Sequence, residues 1–309
     1  MAADAKSAAA AGGGGAKNDG GGAVGPLLVL AVLGVVTAGL TIGVLSLVLS
    51  EPEPQAYELD TPDAVLQAAK SMVAANQAER LHELIAAPDD GSRMVLMEIG
   101  RLFGHIQDLG NAAALAYPDE IRQLRERALA SAENGEASSA LSAFVTGRSF
   151  DARGMDMRER FDDAITQLMT DPYSWLESAE ERLDFQYIVD GQVAVTWDGR
   201  GVLQPLGLIV EEQADGQWRV LLPTESPSIA RFRWVANYLP QTEEEFKIWA
   251  SLVRVFDNLV VDLIAGVESG KYRTLATMTE AAIEGSVVPA AMVFYAYNQA
   301  VEARQRGGD

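Results

Sequence analysis

Apolar residues recur along most of the chain at the three- and four-residue spacing of amphipathic helices. Thr61, Pro62 and Asp63 have the residue types of a helix start, and Thr242 with Glu245 forms a capping box. The pattern predicts helices at 61–73, 81–85, 92–109, 118–131, 136–146, 155–169, 172–181 and 242–269, and a last helix after Pro289. We expect the tail from Arg304 onward to be frayed.

In one region apolar and polar residues alternate, which predicts strands at 184–189, 192–197, 206–212 and 217–222. Asp190-Gly191 and Asp215-Gly216 are typical of tight hairpin turns. Four strands with such short links make an antiparallel meander. The predicted fold class is therefore α+β and mostly α-helical, with helices packed on a four-stranded antiparallel meander and a C-terminal helical region after it.

The segment 27–49 contains 23 residues without a charge. As a helix it is roughly 35 Å long, which is enough to cross a hydrocarbon core of about 30 Å. The sequence therefore predicts an N-terminal transmembrane helix over 26–49 that binds the lipid bilayer. A signal peptide cleaved after Ser50 is the alternative, but the apolar run is longer than such peptides use.

Within this segment Gly39, Gly43 and Ser46 fall on one helical face. Small residues at this spacing let two membrane helices approach closely. This face predicts a homodimer, and chance spacing in a glycine-containing helix is the alternative.

These patterns divide the chain into five parts. They are a disordered Ala/Gly-rich tail at 1–25, the transmembrane helix at 26–49, a linker at 50–60, an α+β domain at 61–224 and a helical region at 225–305. Two lysines lie before the membrane segment and an acidic flank follows it. The positive-inside rule therefore predicts a cytoplasmic N-terminus and an extracytoplasmic body.

Charge and composition exclude several classes of function. The formal net charge is −20, and residues 1–50 contribute nothing to it, so the acidic body repels phosphate backbones and we expect no nucleic-acid binding. The chain has no cysteine and only His82 and His105 as histidines. Neither histidine belongs to an evident constellation, so both are expected on solvated surfaces, and we expect no catalytic residue, metal or cofactor. The absence of cysteine favours a bacterial envelope protein, such as a periplasmic one.

Aromatic residues on the predicted sheet are the one candidate for a pocket. Trp197 and Trp218 can line an apolar cavity on a curved sheet, with Asp184 or Asp198 as a polar contact. Core packing is the simpler role for aromatics in strands.

Two parts of the chain resemble a known family. They are the helix start at 61–63 followed by Leu81-His82-Glu83-Leu84-Ile85, and the strands 191–197 and 216–221. Together they resemble nuclear transport factor two-like domains over about 60–224, with a long helical insertion between residues 90 and 183. The resemblance implies a cone-shaped α+β fold around a pocket. Family members include isomerases, dehydratases, ligand binders and membrane-tethered assembly proteins, so the fold alone does not choose a function.

Two functional hypotheses follow from the sequence. The first is a single-pass, membrane-anchored, extracytoplasmic protein that acts without catalysis as a protein-interaction or scaffold module for an unknown protein partner. The second is a cone-fold pocket protein that binds a small molecule or acts as an isomerase-like or hydrolase-like enzyme. The transmembrane segment and the absence of catalytic motifs favour the first.

Overall fold

The protein is a mixed α+β fold, mostly helical, with one antiparallel sheet. The computed structural model describes residues 57–133, 137, 166–167, 182–202, 207–222 and 239–307. The helices are α1 (Pro62–Ala74), a 3₁₀ helix (Ala78–Leu84), α2 (Asp90–Ala116), α3 (Pro118–Glu133), α4 (Glu243–Glu268) and α5 (Leu275–Gly307). The strands are β1 (Leu183–Val189), β2 (Gln192–Trp197), β3 (Arg200–Gly201), β4 (Ile209–Glu212) and β5 (Trp218–Val220).

The predicted start of helix α1 is confirmed. Thr61 is the N-cap, and its hydroxyl accepts a hydrogen bond from the Ala64 N–H at 3.1 Å. The helix ends before Asn76, which has a φ of 58° and turns the chain into the 3₁₀ helix. Leu81 and Leu84 in that helix are fully buried.

The antiparallel meander is also confirmed, with strand order β1-β2-β4-β5 and the two-residue strand β3 as an addition beside β2. Gly191 and Gly216 have φ values of 77° and 74°, which the tight turns require and which glycine adopts without strain. The outer edge of β5 is covered, because the Trp218 N–H donates to the Leu59 carbonyl at 2.6 Å and the Ala86 N–H to the Val220 carbonyl at 2.8 Å. The sheet is thereby joined to the chain on either side of helix α1.

The capping box of helix α4 is present as predicted, with Thr242 and Glu245 bonded reciprocally. The predicted start of the last helix is wrong, because α5 begins at Leu275 and contains Pro289. The Thr274 hydroxyl accepts from the Thr277 N–H at 3.3 Å and caps this earlier start. The helix continues through Pro289 because both halves are held by packing, with Met278 and Ala282 buried before the proline and Tyr297 and Val301 after it.

Helices α2 and α4 run parallel, since their contacts advance together from Glu98 with Arg254 to His105 with Asp257. Helix α5 returns antiparallel to α4, which places Arg304 beside Glu245. The expectation of a frayed tail is wrong for Arg304–Gly307, which is helical. Side chains of α1, α2, the sheet, α4 and α5 belong to one continuous core.

Within the described ranges, every helix is too short or too polar to cross a membrane. The predicted transmembrane helix at 26–49, with Gly39, Gly43 and Ser46, lies outside the described residues. So do the tail at 1–25 and nearly all of the predicted helices between 136 and 181.

Candidate functional site

The structure separates the four residues predicted to form a pocket. Trp197 and Trp218 are buried and belong to the continuous core. Asp184 is exposed and pairs with Thr196 across strands β1 and β2, whereas Trp197 pairs with Leu183. Because neighbouring residues of a strand alternate between faces, Asp184 and Trp197 lie on opposite faces of the sheet. The two tryptophans thus take the core-packing role, and the pocket stays a prediction.

Asp198 is the fourth of these residues and is also exposed. It has a φ of 49° in the turn after β2, and its carboxylate lies 3.6 Å from the Arg182 guanidinium. Its position is that of a turn residue with a surface ion pair.

The structure brings His105 together with Asp257, a pair that the sequence analysis missed. His105 Nδ1 lies 2.6 Å from Asp257 Oδ1, and the two side chains are 32% and 8% exposed. The expectation of a solvated His105 is therefore wrong. His82 is half-buried rather than solvated, with Nδ1 2.6 Å from the Glu79 carbonyl oxygen.

The chemistry of the His105–Asp257 pair follows from its geometry. In neutral imidazole, donation from Nδ1–H to the carboxylate fixes the ring orientation and the tautomer. Nε2 is then the nitrogen that accepts a proton or a ligand. This is the arrangement of an orienting acid and a general base in acid–base catalysis.

Asp257 of helix α4 is a buried acid. The signal for burial was present, because Asp257 lies four residues after Val253 and three before Val260 on a row of apolar residues. A charged residue on such a row needs a partner. The sequence could not say that the partner was His105, because the two lie 152 residues apart.

A second charged group lies further toward the N-terminus of the same helix interface. Glu98 is buried and accepts from Arg101 at 3.0 Å and from Arg254 at 2.7 Å. The hydrogen bond to Glu98 raises the pKa of the Arg254 guanidinium. Both oxygens of the carboxylate are thus occupied, and the group ties helix α2 to helix α4.

Asp108 lies near His105 on helix α2, exposed to solvent on one side. Its pKa is raised, chiefly because the surrounding protein removes part of its hydration. The charge of Glu268 raises the pKa further and His105 opposes both effects.

The far end of the α4–α5 hairpin holds a buried ion pair. Glu245 Oε2 accepts from Arg304 Nη1 at 2.7 Å and from the Gln241 N–H at 2.7 Å. Tyr297 packs edge-on against Trp249 with ring centroids 5.8 Å apart, and burial raises the pKa of its hydroxyl. This cluster fixes the end of α5 to the start of α4.

The outward face of α5 carries an exposed apolar row, the α5 stripe, made of Val288, Met292 and Tyr295. Their exposed fractions are 64%, 69% and 67%. The spacing of four and three residues puts them on one helical face. The segment 285–301 around them contains no charged residue, although Glu284 and Glu302 flank it.

Among the residues that the structure describes, no group of three or more histidine, aspartate and glutamate side chains is placed to hold a metal ion. Two features with functional potential are the α5 stripe and the His105–Asp257 pair. No family model matches the chain, and no curated protein or solved structure is significantly similar to it.

Proposed function

We propose that this protein is a single-pass membrane protein whose extracytoplasmic domain acts, without catalysis, as a protein-interaction or scaffold module. The observation that carries the proposal is the α5 stripe. Three large apolar side chains lie about two-thirds exposed on one helix face of an acidic protein. Contiguous exposed apolar surface of this kind marks interaction sites.

The free energy of apolar burial supports a surface that a binding partner covers. Burying one large apolar side chain contributes about 1.5–3 kcal/mol. Three adjacent side chains therefore provide several kcal/mol toward association before its entropic cost.

The proposed location is the cytoplasmic (inner) membrane, with the N-terminus cytoplasmic. It rests on the uncharged segment 27–49 and on the lysines that precede it.

A photo-crosslinking amino acid placed at Tyr295 of the full chain tests the interaction module. We expect a discrete crosslinked species in intact cells. Leu115, which is 81% exposed near the end of helix α2, provides the matched control and should give none. If neither position crosslinks to protein, the interaction module is excluded.

A C-terminal tag on the same chain tests its location. The chain should stay in the membrane fraction after alkaline carbonate extraction, and added protease should reach the tag only after the outer barrier of the envelope is opened. Protection until the inner membrane is lysed would reverse the proposed topology. A shortened, soluble chain would indicate cleavage near Ser50.

A second candidate function is favoured by the His105–Asp257 pair. An oriented imidazole suits a small-molecule site with isomerase-like or hydrolase-like chemistry. Hydrolysis of p-nitrophenyl acetate tests it, because this ester reacts with any activated imidazole. If the protein has this second function, His105→Gln abolishes hydrolysis and His82→Gln leaves it intact. Equal rates in both variants would reject it.

A further inference from the structure

We propose that the α5 stripe binds the same stripe of a second copy of this chain, so that the protein forms a two-fold symmetric dimer. This inference rests on the proposed function, since it names the partner of the interaction surface. In a two-fold interface the same patch is used by both copies. The patch must therefore be compatible with itself in both shape and charge.

The charge distribution favours a second copy over a different partner. Two chains of net charge −20 repel each other wherever acidic faces meet. The segment 285–301 has no charge, so two copies that meet there bring none of its side chains into like-charge contact, and the exposed Glu284 and Glu302 lie at the two ends of the contact. A basic partner would instead be drawn to the acidic faces, and an uncharged contact helix offers it no advantage.

The shape of the helix face also suits its own copy. Ala291 and Ala296 lie exposed beside the three large side chains. Short side chains beside long ones let two helices pack at an interaxial distance of about 8–10 Å. Met292 is the central residue of the stripe, so the two copies of Met292 should lie closest to the symmetry axis.

The size of the stripe indicates a weak contact that depends on tethering. From Val288 to Tyr295 the stripe is roughly 11 Å long. An interface of this size falls below the ~1,200 Å² of total buried surface that stable complexes reach. Anchoring both copies in one membrane raises their effective concentration. The predicted membrane face of Gly39, Gly43 and Ser46 points independently to the same pairing.

The chain contains no cysteine, so one introduced cysteine reports on one position. We expect full-length Met292→Cys in native membranes to form a disulfide-linked species of twice the chain's mass on mild oxidation. Disulfides require Cα atoms within about 4.4–6.8 Å, which only residues near the axis satisfy. Met97→Cys is the matched control, because Met97 is an exposed methionine on helix α2.

The second variant adds Tyr295→Glu to Met292→Cys and places like charges on both sides of the contact. We expect dimer yield to fall at least about tenfold, the effect of losing one strong interface residue. Circular dichroism of the variant checks that the fold is kept. A yield at Met292 no higher than at Met97, or one that is insensitive to Tyr295→Glu, overturns the dimer.

Failure of the dimer and failure of the proposed function give different results. If position 295 crosslinks only to a different protein, so that no species of twice the chain's mass forms, the dimer is overturned and the interaction module is kept. Protection of Met292→Cys from a membrane-impermeant maleimide, without a dimer, would indicate contact with lipid and also overturn the dimer. Loss of the chain from the membrane fraction would remove the anchor that both proposals use.

Discussion

Two regions of the molecule depart from the usual placement of side chains. Charged side chains are buried at the contacts of helix α4, and apolar side chains are exposed on the outward face of helix α5. Glu98, Asp257 and Glu245 are buried acids, and each has a basic partner in the same chain. The α5 stripe is apolar and exposed. A buried charge is unfavourable unless it is paired, and contiguous exposed apolar area is unfavourable unless something covers it. Each buried acid has its basic partner within one chain, whereas the stripe needs a partner that the described part of one chain does not supply.

The largest effect expected from removing a charged partner is at the end of the α4–α5 hairpin. Arg304→Met leaves the Glu245 carboxylate buried without its cation, and we expect the free energy of unfolding to fall by about 3 kcal/mol. Glu245→Gln is the control, because the amide oxygen keeps the capping hydrogen bonds while the charge is lost, and it should cost less. Urea denaturation followed by tryptophan fluorescence measures both. A loss under about 1 kcal/mol for Arg304→Met would show that the pair contributes little.

A smaller and asymmetric effect is expected at the His105–Asp257 pair. His105→Leu leaves a buried carboxylate without a partner and should lower the free energy of unfolding by about 1–3 kcal/mol. Asp257→Leu replaces the buried charge by an apolar side chain of similar size, so its effect should stay below about 1 kcal/mol. The double variant should behave like Asp257→Leu. Equal losses in the two single variants would contradict this account of the pair.

A pH-dependent effect is expected at Asp108, at the rim of the α2–α4 interface. Its pKa is raised in the folded protein above the ordinary 3.8, so the folded state binds the proton more tightly than the unfolded state. This destabilisation is absent below pH 3.8, grows as the pH rises through the raised pKa, and is constant above it. Asp108→Asn should therefore stabilise the protein at pH 7 by less than about 1 kcal/mol, since solvent screens the exposed side. The free energies of unfolding of variant and wild type should converge near pH 3. A constant difference between them at all pH values would show that Asp108 does not contribute to the pH dependence of stability.

The smallest effect on folding is expected at the α5 stripe. Met292→Ala removes an exposed side chain and should change the free energy of unfolding by no more than about 0.5 kcal/mol. Met278→Ala, on the buried face of the same helix, should cost about 2–5 kcal/mol. Thermal unfolding of the two variants compares the faces directly. A large loss for Met292→Ala would show that the stripe packs within the fold and does not serve as a docking surface.

Local features of the fold were predictable because their physics spans only a few residues. The N-cap at Thr61, the capping box of Thr242 and Glu245, and the hairpin turns at Gly191 and Gly216 were all confirmed. Each depends on hydrogen bonds or backbone angles within one turn of chain. The start of α5 was missed because Pro289 was read as a helix start, although Thr274 carried a capping signal.

The candidate sites were much less predictable. Asp257 was on a visible apolar row, but its partner lies 152 residues away, and the partner of Glu245 lies 59 residues away. The four predicted pocket residues differ in burial because strand register sends Asp184 and Trp197 to opposite faces. Register and helix pairing depend on the whole core, so local pattern cannot supply them.

The sequence by itself determined the class of the fold, the ends of most described elements, the acidity of the body and the uncharged segment at 27–49. Only the tertiary structure decided which polar residues are buried together and which apolar residues are left outside. The physical reason is that periodicity gives each helix an apolar face but not a neighbour. Helix α5 is apolar on two sides, and its packing against α4 decided that Tyr297 lies inside while Tyr295 lies in the α5 stripe.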